Sequence, residues 1–234
     1  MVEVANELVG LYEEYFPDNP WESRKNALAA KDSVDAITKL AGLKLGSLID
    51  VGAGDGVVTQ EIHHRGIADR ITALEISSSG LRKIRSLNVA SDVVKFDGYS
   101  IPFADKEFDI AVCSHVIEHV EHERLFLREI GRVSKQCVFI VPLEGGLRGR
   151  IDRRMGHINY YSPLTFRNLI ETSNLRLIDE FIFPCSADYE RHLAGRLRGN
   201  IKAFLRRVNA LAVGANAPHF MNYIMAIYCE PVAQ

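Results

Sequence analysis

Residues 114–122 read SHVIEHVEH, with His115, Glu118, His119, Glu121 and His122 close together. Imidazole titrates near neutrality, so such a stretch can move a proton, and with carboxylates it can hold a metal ion. His115, Glu118 and His119 spell H-x-x-E-H, a pattern used by one class of zinc peptidases. That use places the motif on a long helix and needs a further ligand, for which His122 or Glu144 is offered. Here an apolar, strand-like run leads directly into His115, so no metal is expected. The proton-transfer reading takes His119 first and His115 second as the base. The plainer reading has His119 packing or capping the following helix. Glu118 reads as a capping or solvated acid, and Glu121, His122 and Glu123 as a solvent-facing helix start.

A second stretch, LIDVGAGDG at 48–56, could hold a ligand rather than transform one. Gly52, Gly54 and Gly56 permit positive φ and remove the Cβ atoms that keep a ligand off the backbone. The helix that follows offers unpaired N–H groups. Glu75 ends the next strand-like run and can accept from both hydroxyls of a ribose. Asp50, just ahead of the glycines, would repel a pyrophosphate and attract a cation. Asp97 and Gly98 follow the third run, where a carboxylate can accept from an exocyclic amine. The G-x-G-x-G spacing departs from the dinucleotide fingerprint G-x-G-x-x-G. No Y-x-x-x-K pair and no N-P-P-Y-like tetrapeptide occurs in the chain. Asp50, the spacing and the missing pair disfavour an NAD-dependent oxidoreductase or nucleotide-sugar enzyme. The missing tetrapeptide disfavours a nucleic-acid methylase.

The elements that must carry these residues alternate. Apolar runs at 47–51, 71–76, 91–96, 108–113 and 137–142 predict strands. Helical patterns lie between them at 57–65, 80–88 and 120–133. That alternation predicts an α/β fold with a parallel sheet covered on both faces. Helical segments precede it, the second over 22–41. After it, SPLTFRNLIETSN (162–174) begins with a serine cap and a proline at the first helical position. A strand at 175–183, a basic helical segment at 187–213 and a final strand at 221–229 complete the chain. The whole reads as one domain over 1–234. It divides into an N-terminal helical lid (1–44), a cofactor-binding core (45–186 and 218–234) and a helical cap inserted at 187–217.

Composition bounds the rest. The chain has 234 residues, 47% hydrophobic and 25% charged, with a formal net charge of −2. That balance names no polyanionic partner. The longest apolar runs are too short to span a bilayer, and the N-terminus lacks the layout of a secretion signal. Four scattered cysteines read as reduced core residues of a cytoplasmic protein. The segment 142–163 follows the fifth strand, where Glu144, His157, Tyr160 and Tyr161 can meet an acceptor. Its cluster Arg148, Arg150, Arg153 and Arg154 suits an anion. Residues 190–211 carry six Lys/Arg against one Glu, with a stripe at Leu193, Leu197, Ile201, Phe204, Val208 and Leu211. That stripe is expected to pack on the domain's own core, or else to touch an anionic membrane surface peripherally.

Taken together, D-V-G-A-G-D-G at 50–56, Glu75, Asp97 and IPFADKEFDIAVCSHVIEHV at 101–120 resemble the class I S-adenosylmethionine-dependent methyltransferases. The resemblance is greatest to the small-molecule group that includes the ubiquinone and menaquinone methyltransferases. It implies a Rossmann-like, seven-stranded, mostly parallel sheet whose last strand is antiparallel. It implies S-adenosyl-L-methionine as cofactor and methyl transfer to O, N or C of a small or carrier-linked acceptor. In that family pattern Asp50, Gly52, Ala53 and Gly54 shape the methionine side of the pocket. Glu75 holds the ribose, Ile76 lies beside the adenine, and Asp97 and Gly98 read its edge. Ser114 and His115 lie near the sulfonium. His119, His115 and His157 are then the candidate catalytic groups, in a monomer or homodimer that binds no nucleic acid. The turn VSKQCVF lacks the proline-glycine-glycine often seen before strand five. A fold that binds the cofactor without catalysis stays open.

Overall fold

A computed structural model describes residues 19–143, 156–201, 204–205 and 223–232. The calls on Tyr12, Tyr15, Phe16, Glu144, Arg148, Arg150, Arg153, Arg154, Val208 and Leu211 lie outside the described residues.

The described elements run α1 (Pro20–Ala41), β1 (Leu45–Val51), α2 (Val57–His64), β2 (Ala68–Glu75), α3 (Ser78–Leu87), β3 (Asp92–Lys95) and β4 (Phe108–Ser114). After a 3-10 turn (Ile117–His119) come α4 (Glu123–Val133), β5 (Ser134–Leu143), α5 (Pro163–Glu171), β6 (Leu175–Pro184), α6 (Ala187–Ala194) and β7 (Tyr223–Pro231). The seven strands form one sheet in the order β3-β2-β1-β4-β5-β7-β6. β7 is antiparallel to both neighbours, and the other pairs are parallel. The expected seven-stranded sheet with an inserted antiparallel last strand is what forms.

Central strands are apolar on both faces because both faces are covered. On β4, Ala111 and Cys113 enter one core while Ile110 and Val112 enter the other. On β5, Cys137, Phe139 and Val141 alternate with Val138 and Ile140 in the same way. Burial of each Val, Ile or Phe among them contributes about 1.5–3 kcal/mol. The four cysteines are buried and free. Ser162 caps α5 in a capping box with Thr165, with Pro163 in the first turn.

One local boundary differs from expectation. Helix α4 starts at Glu123 rather than at 120. The carbonyls of Ile117 and Val120 are taken by Asn159 Nδ2, at 3.3 and 2.7 Å, which diverts them from a helical ladder. Helix α1, within the segment expected as a lid, packs on the core. Val34, Ala36 and Ile37 are buried against Leu48, Ile62, Val138 and Ile140.

The strand order reverses at β1, with β2 on one side and β4 on the other. Asp50 pairs in register with Ala73 of β2 and Val112 of β4. The loops after β1 and β4 therefore leave the sheet side by side. That is the crevice in which open α/β sheets bind ligands.

Candidate active site

The glycine loop is held from below and from the side. The N–H groups of Gly52 and Ala53 donate to the Leu74 carbonyl at 2.8 and 3.0 Å. Glu75, buried at the end of β2, accepts from Gly54 N–H at 2.8 Å and from Ser77 N–H at 2.9 Å. The Ser77 hydroxyl and the Ile76 N–H bear on the same carboxylate. Burial raises the Glu75 pKa, against the pull of these N–H donors. Ser77 caps α3, and Gly80 in the first turn lies under the loop. A Cβ there would stand 2.5 Å from the Gly54 carbonyl oxygen. Gly80 was not legible as a site residue, because its spacing is that of an ordinary helical position.

Asp50 lies beneath the loop, not at its lip. It is 2% exposed, and its Oδ2 accepts from the Thr59 hydroxyl at 2.6 Å, tying β1 to α2. Burial pushes its carboxyl up to about 6, against the Thr59 bond and with Glu75 adding to the rise. Asp97 is exposed, and one of its oxygens accepts from the N–H groups of Tyr99 and Ser100. Burial works against these bonds, but its pKa is lowered. Ile76 faces Gly98, whose added Cβ would lie 3.8 Å from Ile76 Cγ2. Carboxylates thus stand at or just beyond the ends of β1, β2 and β3. This donor set suits an adenosyl group with ribose hydroxyls and a nearby cation better than it suits a pyrophosphate. The residues present fit S-adenosylmethionine on that ground. Asn26 of α1 reaches the same loop, donating to Asp55 at 3.0 Å.

Across the crevice, Ser114 shares a 3.1 Å hydroxyl contact with Ser33 of α1. His115 follows with φ +57°, a left-handed conformation that non-glycine residues rarely adopt. Strain of this kind collects at functional sites. Its Nδ1 lies 3.6 Å from Glu118 Oε1. Glu118 is 1% exposed, and its backbone carbonyl accepts from Ile158 and Asn159 at 2.9 and 3.0 Å. Burial raises the Glu118 carboxyl pKa, but the imidazoles of His115 and His119 outweigh it, and the net shift is downward. The solvated-acid reading of Glu118 is therefore corrected: its side chain is buried among histidines.

His119 Nδ1 lies 3.0 Å from the Gly156 carbonyl, and its ring meets His157 edge-to-face with centroids 4.7 Å apart. Burial lowers its pKa, with Glu118 opposing and His157 assisting. The structure thus gathers His115, Glu118, His119 and His157 at the end of β4. His122 stands exposed at the N-cap position of α4 without a side-chain capping bond, its ring 5.9 Å from that of Tyr99. Tyr161 is buried, and its hydroxyl donates to the Ile117 carbonyl at 3.4 Å. Its role here is to hold the loop.

Residues 49–141 match the family described as Methyltransferase domain. Demethylmenaquinone methyltransferase of Corynebacterium kroppenstedtii is 33% identical over 102 residues, 41% of this chain and 43% of that protein. Arginine-hydroxylase NDUFAF5, mitochondrial, of Danio rerio is 27% identical over 192 residues, 71% of this chain and 60% of that protein. The chain thus spans less than two thirds of the length of either. Among solved structures, the [4+2]-cyclase SpnF superposes with a TM-score of 0.63 at 18% identity, covering 88% of this chain and 82% of that one. A geranyl diphosphate C-methyltransferase of Streptomyces coelicolor, solved with S-adenosyl-L-homocysteine, gives 0.61 at 15%, covering 87% and 75%. These superpositions show the fold alone, and the same fold serves a cyclase. With its glycine loop, its β3-β2-β1-β4-β5-β7-β6 sheet and the domain match over 49–141, the chain carries a methyltransferase domain over those residues, in the fold of the class I S-adenosylmethionine-dependent methyltransferases.

Proposed function

We propose that this protein moves the methyl group of S-adenosylmethionine to an O, N or C atom of a small or carrier-linked, anionic acceptor. The observation that carries the reading is the facing of two loops at the switch point. The carboxylate-ringed glycine loop lies on one side, and the buried histidine group lies on the other. Glu75 would take the ribose, Ile76 and Gly98 the adenine faces, and Asp97 the exocyclic amine. Gly52, Ala53 and Gly54 would border the methionine moiety, with Asp50 supplying negative potential from below and Ser114 and His115 opposite.

Bound S-adenosylmethionine would supply an activated sulfonium methyl, which an electron pair of the acceptor would take in line, the carbon–sulfur bonding pair staying on sulfur. Holding the two in line is worth up to roughly 7–11 kcal/mol. Where the acceptor atom carries a proton, a neutral imidazole can take it, and the lowered pKa of His119 keeps that ring neutral at pH 7. The charge balance of residues 190–211, six Lys/Arg against one Glu, supports an anionic acceptor. The related proteins named demethylmenaquinone methyltransferase support a small one.

Calorimetry with S-adenosylmethionine, S-adenosylhomocysteine and NAD tests the cofactor. Heat with NAD alone would reject the reading. The Danio rerio relative, which aligns over 71% of the chain, favours hydroxylation as a second reading. Product mass separates them, since one adds a CH2 and the other an oxygen atom.

A further inference from the structure

We propose that Glu118, His119 and His157 form a binding site for one divalent transition-metal ion, of the kind taken by Zn2+, Co2+, Mn2+ or Fe2+. One carboxylate and two imidazoles make a donor set that such ions use with positions left open for oxygen ligands. The three donor atoms all lie within 4.8 Å of one another. Bonds of about 2.1 Å in a tetrahedral arrangement set donors about 3.4 Å apart, so a short inward rotation of the side chains completes the site.

Three further observations point to an ion. First, Glu118 Oε2 is buried and meets no hydrogen-bond partner among the described residues. His115 Nε2, three positions earlier, is in the same condition. Leaving a buried carboxylate oxygen without a partner is unfavourable, and a cation removes that cost. Second, a carbonyl only accepts, so the Gly156 contact makes His119 Nδ1 the donor and puts the ring's lone pair on Nε2. Metal-bound histidines are oriented by this arrangement. Third, His157 is brought there by a built loop. Ile158 and Asn159 N–H donate to the Glu118 carbonyl, and Asn159 Nδ2 binds the carbonyls of Ile117 and Val120.

The zinc-peptidase spelling H-x-x-E-H is therefore misleading in its ligands. On this proposal the partner of His119 is His157 rather than His115, which departs from the no-metal expectation drawn from the sequence. The ligands that complete the ion's shell are oxygens: water, or a hydroxyl or carboxylate of the acceptor. That last identification rests on the methyl-transfer reading, whereas the ion site does not. Ligation occupies the His119 lone pair, so a metal there and His119 as the base exclude each other.

The test titrates Co2+ into chelator-stripped protein and follows its visible absorption, with equilibrium dialysis of Zn2+ and Mn2+ beside it. One equivalent is expected to bind. His157→Gln and Glu118→Gln should each weaken it at least about tenfold, and the exposed-residue variant His63→Ala should leave it unchanged. S-adenosylmethionine calorimetry on the same samples reports folding and the cofactor site separately. Retained cofactor heat with lost metal uptake in the two variants supports the proposal. No uptake by the unaltered protein, or equal uptake by all variants, overturns it. Metal uptake without cofactor heat would reject methyl transfer and leave the ion site standing.

Discussion

The Val116 side chain occupies the space a side chain on Gly52 would need: a Cβ at Gly52 would lie 2.6 Å from Val116 Cγ2. Gly52 also has φ +77°. The residue that looked like a ligand cradle is first of all the seam between the loops after β1 and β4. Gly52→Ala is expected to destabilise the protein by roughly 1–3 kcal/mol. Adding Val116→Ala should restore part of the loss, because it removes the clash and leaves the strained φ. Urea unfolding of the two single variants and the double variant measures the coupling.

Asp50 gives a pH signature. Its folded-state value of about 6 lies above the ordinary carboxylate value. Below about pH 4 the group is protonated in both folded and unfolded chains and contributes nothing to the pH slope. Between that value and 6 the unfolded chain ionises first, so stability falls as pH rises and then levels off. Asp50→Asn keeps an acceptor for Thr59 and should flatten this limb, unfolding later than the parent at pH 7. Ionised Asp50 also favours a cation above it. The preference for S-adenosylmethionine over its neutral demethylated product should therefore grow as pH rises through 6, and the variant should lose this trend.

His115 sits at φ +57°. Left-handed backbone costs a residue with a Cβ about 1–2 kcal/mol. His115→Gly is therefore expected to be more stable than His115→Ala by about 1 kcal/mol. Thermal or urea unfolding of the pair decides this. Equal stability would mean that the strain is absorbed elsewhere.

Among the described residues of the segment 190–211, part of the apolar stripe is left uncovered. Leu197, Ile201 and Phe204 are 75%, 52% and 66% exposed. No helix among the described residues is long and apolar enough to cross a membrane. Leu197→Asp and Phe204→Asp should each change folding stability by less than about 0.5 kcal/mol. If the stripe meets an anionic lipid surface, both variants should lose co-sedimentation with anionic vesicles. Sedimentation that is absent in the parent removes the membrane role.

If His119 is the base, His119→Ala should slow methylation by about 10²–10⁴-fold while cofactor affinity holds. An unaltered rate across pH would remove that role.

Periodicity and punctuation made most of the fold legible. The alternation of apolar runs with helical patterns, the glycine-broken strand end at 52–56 and the Ser162–Pro163 helix start are local signals, and local burial patterns carry them. The order of the strands followed only from resemblance, and the partners of individual side chains did not follow at all. Asp50 sits beneath Thr59, Val116 fills the space over Gly52, Gly80 packs under Gly54, and His157 meets His119 across 38 positions of chain. Each of these contacts joins two loops or two elements that the sheet brings side by side. Spacing along a chain reports which face a residue presents. It takes the reversal of strand order at β1 and the hydrogen bonds of residues 158–159 to decide what that face meets.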